Sequence, residues 1–114
     1  MRLTNLYVSN NTKLKGLNCS NNQLTNLDIS SYTTLIHLYC DGNQLESLNA
    51  SGCTALTVFC TNNKLEAAAL NALFGTLNSN AGTKEIHIGG NPGTDDCARS
   101  VAELKGWTVN DFPW

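Results

Sequence analysis

The chain has 114 residues, 14% of them charged, and a net charge of −2, so it lacks the basic footprint of a nucleic-acid binder or of a protein held to an anionic membrane. One domain is expected at this length, and it can bury a useful core only if its apolar residues follow a regular pattern. No apolar run approaches the roughly 20 residues of a membrane span, and Met1-Arg2-Leu3-Thr4 does not open an export signal.

The pattern starts at the third residue. Shifting the sequence by 21 places lays Leu14, Leu17, Cys19, Asn22, Leu24, Leu27 and Ile29 onto Leu35, Leu38, Cys40, Asn43, Leu45, Leu48 and Ala50. The frame runs back to Leu3, Leu6 and Val8 and, after a shift shortened to 20, forward to Val58, Cys60, Asn63, Leu65, Ala68 and Leu70. A period in this range with the pattern L-x-x-L-x-L-x-x-N-x-L, here with Cys at the third Leu, is the leucine-rich-repeat signature. The expected fold class is therefore an α/β solenoid: a right-handed superhelix whose coils stack their Leu columns into one core, with a parallel concave sheet. Strands are expected near Gly16 to Cys19, His37 to Cys40 and Thr57 to Cys60, with Leu56 locally shifted where the third coil is short. Asn22, Asn43 and Asn63 follow each strand, where an amide that both donates and accepts can satisfy the turning backbone as a structural ladder. Replacing Asn43 should cost stability first.

After Asn63 the period fails. Leu70, Leu73, Phe74 and Leu77 share a helical face within Leu65 to Leu77, and Ile86, Ile88 and Asn91 repeat the spacing of Leu17, Cys19 and Asn22, which predicts a further strand. Thr94 is placed to cap a second helix, with Asp95 and Asp96 in its first turn, Ala98, Val101, Ala102 and Leu104 on its packing side and Gly106 at its end. Trp107 to Asn110 alternates as a closing strand, with Trp107 covering the core. The single domain, 1–114, thus divides into repeats over about 3–65 and a helix-strand-helix C-terminal cap over about 66–114. Because the pattern opens in mid-coil at Leu3, the chain reads as a fragment or truncated form, and its uncapped N-terminal end is expected to favour a homodimer.

The residues between the inward positions of each strand face solvent. One column reads Asn18, Tyr39, Phe59, His87, with Lys15, His37, Asp41, Thr61 and Glu85 as neighbours. Tyr39, Phe59, His87, His37, Asp41 and Glu85 are the candidate binding residues of this face. Two readings stay open for the aromatic stripe: a recognition surface for a protein or glycan, and cross-strand packing that stiffens the sheet. An enzyme would have to gather His37, Asp41, Glu85 and His87, but the two histidines fall two strand spacings apart and no hydrolase spacing is present, so no catalytic residue is expected. Cys19, Cys40 and Cys60 form a column whose parallel Cβ vectors, about 4.8 Å apart, suit neither a disulfide nor a tetrahedral metal. They read as a structural ladder of small buried side chains, with no metal and no cofactor. Cys53 on a turn and Cys97 on the cap stand outside it, either free or joined to each other.

These phrases, Leu14-x-x-Leu17-x-Cys19-x-x-Asn22-x-Leu24-x-x-Leu27-Asp28-Ile29-Ser30 above all, resemble the bacterial surface leucine-rich-repeat proteins with 21-residue cysteine-ladder coils, the internalin J-like group. The tail, from Asn71-Ala72-Leu73-Phe74 through Gly90-Asn91-Pro92-Gly93 to Gly106-Trp107-Thr108-Val109, is similar to end caps of Bacteroidetes examples. The resemblance implies a secreted or cell-surface, non-catalytic binding module engaged in adhesion. The alternative is a structural spacer of a larger surface protein, with no ligand of its own.

Overall fold

The structure is a computed structural model that describes residues 15–29, 33–50, 57–80 and 82–111. The sequence expectations for Leu3, Leu6, Val8, Leu14, Cys53, Leu56 and the N-terminal end lie outside these residues.

Short parallel strands dominate an α/β fold. Strands β1 (Gly16–Asn18), β3 (His37–Tyr39), β5 (Thr57–Phe59), β6 (Lys84–His87) and β7 (Trp107–Asn110) form a five-stranded sheet in that order, and β2 (Asn26–Asp28) and β4 (Ser47–Asn49) form a second, two-stranded one. All pairs are parallel, and Leu17, Leu38, Val58, Ile86 and Val109 are successive register partners. The alternation that places these apolar residues on one face explains why such short segments persist as strands. Leu38, Val58 and Ile86 are fully buried, each contributing about 1.5 to 3 kcal/mol of transfer free energy.

The turns after β1, β3, β5 and β6 are held by Asn22, Asn43, Asn63 and Asn91. Asn43 Oδ1 accepts from the Leu24 amide at 3.1 Å, while its Nδ2 donates to the Cys19 and Cys40 carbonyls, both at 3.0 Å. Asn63 repeats the arrangement one strand on, accepting from Leu45 at 3.0 Å and donating to Cys40 and Cys60. Asn91 extends it, accepting from Leu65 and donating to Cys60 and Ile88. Each amide thus ties its own strand to the preceding one and supplies donors to carbonyls of both. The preceding position is left-handed throughout: Asn21, Gly42, Asn62 and Gly90 have φ between 57° and 75°. Glycine alternates with asparagine there because a Cβ on Gly42 or Gly90 would strike the Asn21 or Asn62 side-chain oxygen.

Helix α1 (Ala67–Thr76) is alanine-rich and buries Leu70, Leu73 and Phe74. It packs against β4, so Ala68 and Leu70, expected to continue the repeat columns, are helical instead, and the Thr76 hydroxyl accepts from the Ala50 amide at 3.3 Å. Its open C-terminal carbonyls are met by Lys105, whose Nζ donates to Phe74, Gly75 and Leu77 at 2.8 to 3.1 Å.

The expected second helix is largely absent. Residues 92–97 are turns, and α2 spans only Ser100–Glu103. Thr94 does not cap it: its hydroxyl faces back to the strand turn, accepting from Asn91 N and lying 2.9 Å from the Ile88 carbonyl to which it donates. Of the expected packing side, Ala102 is buried, but Ala98 is exposed and Leu104 is 89% exposed. The four residues of α2 are too short a helix to aim all of those positions inward. Trp107 does seal the core end, with its Nε1 donating to Asn78 O at 2.8 Å.

Candidate functional site

The solvent side of the five-stranded sheet carries two registered columns. One runs Gly16, His37, Thr57, Glu85, Thr108, and the other Asn18, Tyr39, Phe59, His87, Asn110. In the second column three rings form a stack. Tyr39 and Phe59 have centroids 5.0 Å apart and planes inclined by 18°; Phe59 and His87 are 4.0 Å apart and inclined by 6°. Parallel pairing at a strand spacing of about 4.8 Å stands the rings on edge, face against face. Their faces are therefore spent largely on one another, and solvent meets their rims.

Exposure falls along the stack. Tyr39 is 36% exposed, Phe59 half-buried, and His87 only 7% exposed, so the expectation of an outward, accessible imidazole is corrected. Burial of His87 arises from Phe59 on one side and from Glu85, whose Oε1 lies 3.3 Å from His87 Nε2. Thr61, also read as outward, is fully buried at the strand end. Asp41 is partly buried and accepts from Ser20 Oγ at 2.7 Å, so its carboxylate is oriented along the turn. His37 is exposed, two strands from β6, roughly 10 Å by strand spacing. The fold thus joins Glu85 to His87 and Tyr39 to Phe59, and keeps His37 and Asp41 apart from the Glu85–His87 pair. Among the described residues no three His, Cys, Asp or Glu side chains are grouped to hold a metal ion.

Cys19, Cys40 and Cys60 are free and buried. The Cys40 and Cys60 thiols donate to the Phe59 and His87 carbonyls of the next strand, at 3.3 and 3.4 Å. Burial, aided by the Asp41 charge, pushes the Cys19 thiol up to about 11 and Cys60 to about 12, and burial holds Cys40 well above the ordinary thiol value. Thiols held neutral in this way are poor nucleophiles and poor metal ligands. Cys97 is free and half-buried, raised chiefly by burial.

Sequence reasoning missed one feature at the two-stranded sheet. A shallow groove of 620 Å³ is floored by residues 26–28 and 47–49 of the small sheet and walled by Ala72 and Thr76. The groove lies where helix α1 packs against β4. Nothing in the local pattern announces it, since it depends on how two distant segments meet.

Compared with family models, with curated proteins and with solved structures, the chain matches none.

Proposed function

We propose that the chain is a leucine-rich-repeat solenoid, a right-handed superhelix with a C-terminal cap, and that it acts as a non-catalytic binding module of a bacterial surface or secreted protein. The reading is supported by the register offset of 21 residues between β1 and β3 and again between β2 and β4, and by the matching asparagine contacts at successive bends. The right hand follows from the general preference of parallel crossovers. A protein or glycan is the proposed partner, met on the solvent side of the larger sheet. The observation that carries the functional part is the ring column at one register position, since core burial alone would accept any polar residue there.

The test is to screen the intact chain on glycan and protein arrays beside Tyr39→Ala/Phe59→Ala. Recognition predicts that the unmodified chain is retained and that the double variant loses retention while still melting in one cooperative transition. One observation favours a second reading, a structural spacer: the close face-to-face contact of Phe59 and His87. In that case the double variant melts much earlier and the unmodified chain gives no array hit.

A further inference from the structure

Among the described residues the ring stack stops one strand short of the end of the sheet at β1, where Gly16 and Asn18 are exposed. Tyr39 packs one face on Phe59, and its other face is turned toward β1, where the register partner is Asn18, a side chain with no ring. Beside Asn18, Gly16 leaves the surface low, and a Cβ built there meets nothing within 4 Å. A shelf one strand spacing wide, about 4.8 Å, thus lies against the exposed side of Tyr39. That spacing matches the 5.0 and 4.0 Å steps already present in the stack.

The floor and far wall of the shelf are polar in a specific way. Asn18 Oδ1 accepts from the Ser20 amide at 3.0 Å, which orients the amide and leaves its Nδ2 hydrogens to donate outward. Ser20 Oγ donates to Asp41 Oδ1 at 2.7 Å, leaving the second carboxylate oxygen as an acceptor. Asp41 stands two residues beyond Tyr39, about 6.6 Å along the strand, within the span of one six-membered ring and its substituents.

We infer that Tyr39, Asn18 and Asp41 form a subsite for a neutral hexopyranose ring, seated over β1 as the next rung of the Tyr39–Phe59–His87 stack. The inference rests on the binding-module reading and names its ligand class. The C–H face of the sugar packs on Tyr39, and its hydroxyls accept from Asn18 and donate to Asp41. An unsubstituted aromatic ring would fill the same space but would desolvate the Asn18 donors and the Asp41 carboxylate without replacing their hydrogen bonds. The carboxylate also repels acidic sugars, which selects for neutral ones.

The intact ¹⁵N-labelled chain is titrated with D-glucose, D-galactose, D-mannose and their methyl glycosides, and separately with p-cresol as an aromatic probe. At least one sugar is expected to shift the amides of Gly16, Asn18, Tyr39 and Asp41 saturably, with Kd on the order of 1 mM. Tyr39→Ala should abolish those shifts and Tyr39→Phe should retain them. Asn18→Ala, at an exposed position that spares the core, should weaken binding roughly tenfold. Sugar-induced shifts confined to the groove at β2 and β4 would overturn the subsite, as would saturable binding of p-cresol at Tyr39 without any sugar response. Silence from all sugars together with a protein-array hit on this face would sink the sugar site but keep the binding module; silence on both would remove both.

Discussion

The two faces of the five-stranded sheet are made from alternate residues of the same strands, yet they are secured by different forces. On the inner face Leu38, Val58 and Ile86, with Cys40, Cys60 and Ile88, are wholly buried, and the asparagines at the bends are saturated with hydrogen bonds. On the outer face burial is graded, from exposed Asn18 through Tyr39 and Phe59 to enclosed His87. Inner burial follows from chain periodicity, since every strand delivers an apolar residue at the same register. Outer burial follows from which side chains happen to be flat enough to stack.

The sharpest way to break that contrast is at the bends. Asn63→Ala strands the Leu45 amide and removes donors from the Cys40 and Cys60 carbonyls, and is expected to cost about 3 to 5 kcal/mol in urea unfolding. A loss below about 1 kcal/mol would mean that water replaces the amide and that the inner face is less committed than its geometry implies.

An intermediate effect should appear with pH. The buried thiols have folded-state values raised above 9.0, so the folded chain holds these protons more tightly than the unfolded one. Their contribution to stability is complete below about pH 9 and is lost as pH climbs toward 11 to 12. The unfolding free energy from urea titrations between pH 8 and 11 should therefore hold and then fall, by up to about 1.4 kcal/mol per pH unit for the fully buried Cys60. Cys60→Ala should flatten that decline.

The smallest effect is expected outside. Phe59→Leu removes both ring contacts but leaves an apolar side chain, and should cost about 1 to 3 kcal/mol. If it instead rivals Asn63→Ala, the ring column belongs to the folding machinery and the spacer reading gains over recognition.

The register of Leu17, Leu38 and Val58 could be read from the spacing of like residues, and so could the equivalence of Asn91 with Asn43, because both are properties of a pattern repeated along the chain. The second sheet was less legible: Leu24, Leu27 and Ile29 were visible as columns, but three residues between turns carry too little alternation to declare a strand. Thr94 followed by two acidic residues is a good helix start locally, but the Asn91 bend offers its hydroxyl a competing set of partners. For the outer face, the period of two gives the direction of a side chain but not its shelter. That His87 would be enclosed depends on the Phe59 ring lying 4.0 Å away, a contact no single strand encodes. Lys84 is the extreme case, a lysine 2% exposed in β6 whose burial could not be foreseen from a sequence of alternating residues.

That lysine and Lys105 act as a paired latch at the chain's C-terminal end. Lys84 Nζ donates to the Lys105 carbonyl at 2.6 Å and lies 5.7 Å from the centre of the Trp107 ring, while Lys105 itself clasps the end of α1. Helix, strand and closing tryptophan therefore share their fastenings. Local opening in this part of the molecule should accordingly be all-or-none, a single cooperative unit rather than a ragged edge.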